Sequence, residues 1–415
     1  MRAVGLITEY NPFHNGHLHH LRESKKIAGA DVAVAVMSGH FLQRGEPALV
    51  DKWRRTAMAL GAGVDLVLEL PFAFACQSAP YFAKGAVQCL EALGGVDALC
   101  FGSEAGDLPS LQQAAAMIAG RQPELRQGTA ARLRKGVSYP AARADLMAEW
   151  TGNSAADSLL GSPNNILGLE YLHVLTNIGS PIKPLTIRRL GPGYHDPEAS
   201  GEIASATGIR RMLAEGRPVR AFLPEGSGAL LQEAMAAGQV VDFDLLHRLV
   251  LNQIFRGRDA LKNIYQVEQG LDRRLVDAAV ESSGWEDLLD RLKVRQLTRT
   301  RIQRVLCYVL NDVSGQIMQE CIEAGPRYLR LLGAGEQGRR FLAATREKRS
   351  LPILDNLSRV PAILKRFFGA DTHFFRLASQ MLELDLRATR NYTLMLRGWQ
   401  GGNRNLDFFR EVLSV

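Results

Sequence analysis

Short β-rich runs alternate with helix-spaced segments throughout the first hundred residues, and that alternation leaves few folds open. The runs are Ala3–Thr8 (AVGLIT), Asp31–Met37 (DVAVAVM), Val64–Leu70 (VDLVLEL) and Val96–Phe101 (VDALCF). Between them, about Asn15–Ala28, Asp51–Leu60 and Ser78–Leu93 read as helices. Such β-α-β units predict an α/β fold with a parallel sheet and right-handed crossovers. A ligand is then expected at the carboxyl ends of the strands. Residues 105–180 read as mostly helical, Ile182–Leu190 (IKPLTIRRL) as a strand returning to the sheet, and Ala204–Ala214 as a short helix. Beyond Pro224 the pattern is largely helical. We therefore expect a catalytic unit over 1–225, with a helical insertion at about 105–180, and a mainly helical unit over 226–415. A chain of 415 residues suits two or three domains.

Charge divides the chain in the same sense. Residues 1–200 carry 18 basic and 18 acidic side chains, whereas residues 291–415 carry 22 and 11. A neutral first half and a basic end suggest a catalytic part joined to a part that meets a polyanion. The five cysteines are odd in number and lack CxxC spacing, which argues against a disulfide framework or a Cys-rich zinc site. The first apolar run is short and ends at Glu9, and no run approaches the ~20 residues that span a bilayer. A soluble cytoplasmic protein with no membrane partner is expected.

The densest chemistry follows the first strand: Thr8-Glu9-Tyr10-Asn11-Pro12-Phe13-His14-Asn15-Gly16-His17. His14 and His17 lie three apart at a helix start, so both can face one side. The amides there are unpaired and the helix dipole favours an anion. Gly16 lets a ligand approach the backbone. Two imidazoles beside free amides suit displacement at a nucleotide α-phosphate, where catalysis is positioning and charge stabilisation. His20 is a candidate third member of the clamp.

The His-x-Gly-His after the first strand resembles the nucleotidyltransferase superfamily. Ser205-Ala206-Thr207-Gly208-Ile209-Arg210 resembles that superfamily's late phosphate-binding helix start, which assigns Ser205 and Thr207 to phosphates. Further strings narrow the likeness. They are Met37-Ser38-Gly39-His40-Phe41-Leu42-Gln43-Arg44-Gly45-Glu46-Pro47, Phe101-Gly102-Ser103-Glu104, Ser162-Pro163-Asn164-Asn165-Ile166-Leu167-Gly168 and Gly193-Tyr194-His195-Asp196. In this order they resemble the bacterial tRNA(Met) cytidine acetate ligase family. One departure is His40, where many relatives are expected to carry Asn.

The resemblance implies a Rossmann-like nucleotidyltransferase sheet domain followed by the mainly helical region. It implies an enzyme that uses ATP, with Mg²⁺ as the ATP complex, to make acetyl-adenylate from acetate. The acetyl group then goes to N4 of the wobble cytidine of elongator tRNA(Met). No protein partner and no protein-held metal are implied. The ATP-binding set carried over is Ile7, Thr8, Glu9, Tyr10, Asn11, Pro12, Phe13, His14, Asn15, Gly16, His17, His20, Gly102, Asn165 ahead of Asn164, and Arg188 ahead of Arg189. His14 and His17 would be catalytic. Two other functions fit the residues less closely: a small-molecule adenylyltransferase, and an RNA-binding protein with a regulatory nucleotide domain.

The basic end offers candidate tRNA contacts. On a helix, Arg291, Arg295 and Arg299 align at four-residue spacing, with Arg301 and Arg304 as a second pair. Further on, Lys365, Arg366, Arg376, Arg387, Arg390, Arg397, Arg404 and Arg410 interleave with Phe367, Phe368, Phe374, Phe375, Tyr392, Trp399, Phe408 and Phe409, a mixture that suits structured RNA. Most of these rings are expected in the core. After the second strand, Arg44, Asp51, Lys52 and Arg54 stand where a cation can hold phosphate or acetate. Gly333-Ala-Gly335-Glu-Gln-Gly338 matches a dinucleotide fingerprint by spacing alone, and we read it as a turn and helix start.

Overall fold

The computed structural model describes residues 1–137, 139–151, 162–189, 203–294, 297–398 and 403–414. Its frame is one sheet. Strands β1 (Ala3–Thr8), β2 (Val32–Ser38), β3 (Leu66–Leu70), β4 (Ala98–Ser103) and β5 (Lys183–Arg188) are all parallel. With β6 (Leu329–Ala334) and β7 (Ile353–Leu354) they run in the order β5-β4-β1-β2-β3-β6-β7, and β8 (Leu413–Ser414) lies beside β6. The five strands read from the sequence are all present.

This order places a topological switch between β1 and β4. The chain winds outward through β2 and β3, then returns to the other side of β1. A crevice opens at the carboxyl ends of such neighbours. Helix α1 (Asn15–Ala28) enters from the end of β1 and packs over β4 and β5. Helix α2 (Lys52–Gly61) connects β2 to β3. Alternation along β2 feeds two cores. Val32, Val34 and Val36 join the cluster on one face, and Ala33, Ala35 and Met37 that on the other. The fully buried β2 reads as a continuous apolar run, as expected of a strand covered on both faces.

The sequence places a division at 226. The later region is mainly helical, but β6 pairs antiparallel with β3 and extends the same sheet. The core cluster that holds Val34 and Leu68 also holds Leu246, Leu288, Leu306, Tyr308 and Leu377. Sheet and helical region thus share a core. The Gly333–Gly338 segment is a strand-to-helix turn, and the strand before it was not legible. A Cβ on Gly338 would stand 2.0 Å from the Asp65 carbonyl oxygen, and the Gly335 amide donates to that oxygen at 2.9 Å. These glycines serve close packing against the β3 edge. All five cysteines are buried and unpaired. Among the described residues no helix is long and apolar enough to cross a membrane.

Candidate active site

Between β1 and α1 the chain turns through Tyr10 in the left-handed region (φ 50°). Buried partners hold that turn. The Asn11 side-chain oxygen accepts the Leu49 amide at 2.7 Å, and Arg55, fully buried, donates to the carbonyls of Glu9, Ser38, Gly39 and Val50. One guanidinium thus ties the ends of β1 and β2 to α2. Tyr10 and Phe13 point into the core, with the Tyr10 and Phe13 rings 5.0 and 5.6 Å from that of His17. Their side chains back the site rather than line it.

The two histidines cap α1 reciprocally. His14 is the N-cap, and its Nδ1 accepts the Gly16 amide at 3.0 Å. The Nδ1 of His17 accepts the His14 amide at 3.3 Å. The rings stack at 3.8 Å between centroids. A Cβ on Gly16 would fall 2.9 Å from the His14 ring, so this arrangement needs glycine. An Nδ1 that accepts carries no proton, so each neutral ring holds its proton on Nε2 and keeps it as a donor. Burial, then the nearby Arg189 and Arg210, push His14 down to about 3. Burial and His14 itself hold His17 well below its ordinary value. Burial, Arg189 and His19 take His20 down to about 4, and its buried Nε2 has no partner. All three are neutral at pH 7.

The β4 and β5 ends close the crevice from the other side. The Glu104 carboxylate accepts the Asn164 and Asn165 amides and the Asn164 side chain at 3.4, 3.0 and 2.6 Å. Asn165 returns the bond, its side-chain oxygen taking the Glu104 and Ala105 amides at 3.0 and 3.3 Å. Asn165 therefore fixes the loop after β4 to the Pro163–Asn177 helix, while Asn164 bonds Arg189 at 3.3 Å. The sequence reading put Arg188 ahead of Arg189. In the structure Arg189 stands near enough to His14, His17 and His20 to lower them, and Arg188 packs against the Gly106 backbone. The stem of Arg189 lies over Gly102.

The late helix Ala206–Ala214 also arrives here. Ser205 caps it, accepting the Gly208 amide at 3.0 Å, and Thr207 lies in its first turn. Arg210 donates to the Asn11 carbonyl at 3.0 Å and to Glu46 at 3.3 Å. The roles of Arg210 and Glu104 were not legible from the motifs they belong to. Their sign was position, each directly flanking a motif residue. Gly193–Asp196 lies outside the described residues. The assembled wall has two neutral Nε2–H donors, two guanidinium groups and two helix starts. Donors of these kinds, so arranged, can bind a polyphosphate.

A family model described as HIGH nucleotidyl transferase matches residues 1–405. A tRNA(Met) cytidine acetate ligase from Syntrophotalea carbinolica is 59% identical over 100% of this chain and 99% of its own length. The chain belongs to the tRNA(Met) cytidine acetate ligase family of HIGH nucleotidyl transferases. A relative of that name from Caldanaerobacter subterraneus is 37% identical over the full length of both. The crystal structure of Thermotoga maritima TmcAL, in its apo form, matches with a TM-score of 0.93, 34% identity and full coverage of both chains. A second form of that protein, bound with alpha-thio ATP, gives 0.91.

Two candidate cation groups of this family member lie elsewhere than the sequence suggested. Lys52 is fully buried below the site, 2.8 Å from Glu69 and 2.8 Å from Asp407, and Arg330 completes the cluster at 3.3 and 2.6 Å from the same carboxylates. It is a structural ion network, not a phosphate ligand. His40 belongs to the same layer, its Nδ1 3.2 Å from the Thr389 hydroxyl. Beside it Asp385, raised to about 7 by burial and Glu69, accepts the Phe72 amide and the Tyr328 hydroxyl. Asp51 and Arg54 pair with each other. The arginines expected to align on one helix stand on two instead, Arg291 on Trp285–Leu292 and Arg299 and Arg301 on Arg299–Leu310, and they are paired: Arg291 with Glu281 and Asp287, Arg299 with Glu286, Arg301 with Glu268. Arg304 reaches the Gln43 carbonyl at 3.4 Å, and Arg295 lies outside the described residues.

Proposed function

We propose that this chain is an ATP-dependent ligase that activates acetate and passes the acetyl group to N4 of the wobble cytidine of elongator tRNA(Met). The full-length likeness to a ligase of that name at 59% identity carries the reading. The reciprocally capped histidines support it chemically. An acetate oxygen attacks the α-phosphorus, the bond to the leaving pyrophosphate breaks, and acetyl-adenylate forms. The Nε2–H groups of His14 and His17 stabilise the charge that builds on the phosphate oxygens, with Arg189 and Arg210 adding full positive charge. Being neutral, the imidazoles donate without first taking up a proton, so this role persists across neutral pH. In the second step the cytidine amine attacks the acetyl carbonyl, AMP leaves, and the amine loses a proton. No covalent enzyme intermediate is needed.

Among the described residues no group of three or more His, Cys, Asp or Glu side chains can hold a metal ion. Mg²⁺ enters this reading as the ATP complex, where it shields the phosphates. A reaction on tRNA places the enzyme in the cytoplasm. ATP–pyrophosphate exchange tests the activation step, and incubation with ATP, labelled acetate and total bacterial tRNA tests the transfer. Acetate-dependent exchange and label in one cytidine are expected. Exchange that requires a phosphorylated metabolite instead would make this an adenylyltransferase. RNA binding without pyrophosphate release under any acceptor would overturn the ligase.

A further inference from the structure

One surface of the helical region combines exposed rings with unpaired cations. Phe367 lies in the last turn of the Val360–Phe368 helix, and Phe374 lies in the first turn of the long helix His373–Thr393. Each is 48% exposed, although most large apolar side chains of this region are buried. The rings are continuous: Phe367 and Phe368 meet edge to face at 4.9 Å, and Phe368 stands 6.3 Å from Phe374. The Arg327 guanidinium covers Phe374 at 4.9 Å. Lys365 and Arg366 precede the rings, both exposed and without an ion pair among the described residues. Arg376 follows one turn into the long helix, bonded among the described residues only to the Asp371 backbone carbonyl.

This contrasts with the Arg291–Arg301 stripe, whose described arginines already hold carboxylates. Exposed rings beside free cations are what an unpaired base and its phosphates require: a face to stack on and charge on either side. Stacked helical rise sets the reach. Phe374 lies 15 residues from Thr389, which touches His40 at the end of β2, so about 22 Å separates them along the helix. A surface that far from the strand ends lies beyond the reach of a nucleotide bound there and suits a macromolecule.

We propose that Phe367 and Phe374, flanked by Lys365, Arg366, Arg376 and Arg327, form a base-stacking platform for an unpaired segment of the substrate RNA. The proposal rests on the reading of the chain as a tRNA-acting ligase and adds where that RNA is gripped. Both rings are exposed, so their removal leaves the core intact.

The test uses the full-length enzyme. Phe367→Ala with Phe374→Ala should weaken binding of tRNA(Met) by about tenfold or more, with the slope of log affinity against log salt unchanged, because stacking releases no counterions. Acetate-dependent exchange without tRNA should stay at the starting level. Phe374→Trp should restore binding. Lys365→Ala with Arg366→Ala should instead flatten the salt slope by about 1–2. Affinity within twofold in the double Phe variant, with exchange intact, overturns the platform and leaves the ligase standing. An altered oligomeric state with unchanged RNA affinity overturns it in favour of a protein-binding face. Loss of acetate dependence in the unmodified enzyme would strike the ligase reading itself, and absence of tRNA binding there would sink both.

Discussion

At the proposed anion site by the start of α1 the two capping histidines are neutral and stand beside Arg189 and Arg210, whereas in the helical region the cations are many and largely spoken for. His14 and His17 offer directional Nε2–H bonds from a buried frame, supported by two guanidinium groups. Arg291, Arg299 and Arg301 lie in the most basic third of the chain, yet each holds a carboxylate. Net charge therefore marks neither proposed anion site. In the proposed crevice site, oriented neutral donors work beside two guanidinium groups, and on the proposed RNA surface the useful cations are those without partners. Fixed neutral dipoles in a dry site need no reorganisation as charge develops, while surface arginines act through counterion release and weaken with salt.

The largest expected effect tests whether the one fully buried lysine near the crevice belongs to the anion site or to the scaffold. Lys52→Met leaves Glu69 and Asp407 facing only Arg330. Breaking such a buried pair costs about 3–5 kcal/mol. Burial alone would push Asp407 up, but Arg330 and Lys52 hold it well below the usual carboxylate range. Urea unfolding should show the loss, with acetate-dependent exchange surviving in the folded protein below its melting range. Full stability with exchange abolished would move Lys52 into the phosphate site.

Next in size, His14→Ala or His17→Ala should slow exchange by about 10²–10³, the usual effect of removing one preorganised donor. Unfolding should report a smaller loss of about 1 kcal/mol, the cost of an N-cap. Exchange near the unmodified rate would take the histidines out of the mechanism and leave them as caps.

Those two effects also separate what the sequence disclosed from what it hid. The strands β1 to β5 and the α1 start are local: period, length and the residues after each strand are contiguous in the chain. The His pair was legible because three-residue spacing at a helix start fixes its geometry. The Lys52 network was hidden because Glu69, Arg330 and Asp407 meet only after 355 residues of chain have folded, and each looks like surface charge alone. β6 was hidden because its pattern is that of an apolar run before glycines, and only its docking on β3 makes it a strand. Arg188 and Arg189 are adjacent on a strand end, so the sequence says that one faces the site without saying which.

A smaller effect follows from the lowered histidine values. His14 titrates at about 3 in the folded chain against an ordinary 6.5. Above 6.5 it is neutral in both states. As pH falls below 6.5 the unfolded chain takes up a proton that the folded chain refuses, so stability drops toward pH 3. The limiting slope is about 1.4 kcal/mol per pH unit for this group. Asp385, raised to about 7, works in the opposite sense over the same range. The comparison is therefore between the unmodified protein and His14→Gln by urea unfolding at pH 7, 6 and 5. The variant should lose stability less steeply on acidification. Parallel profiles would mean that His14 is protonated within the fold, and the neutral-donor account of the crevice would go with it.

The smallest effect is predicted where composition pointed first. Arg299→Ala with Arg301→Ala removes two positive charges but also frees Glu286 and Glu268, so part of the lost attraction is replaced by new repulsion. Exposed ion pairs of this kind are worth only about 0–1 kcal/mol to the fold. For RNA, a guanidinium already bonded to a carboxylate must give up that partner before it takes a phosphate. The double change should therefore lower tRNA affinity by less than about threefold at ordinary salt and alter the salt slope by less than about one phosphate contact. A loss as large as that expected from the Phe367 and Phe374 pair would show that tRNA breaks these ion pairs on binding. The stripe and the aromatic surface would then be parts of one continuous footprint.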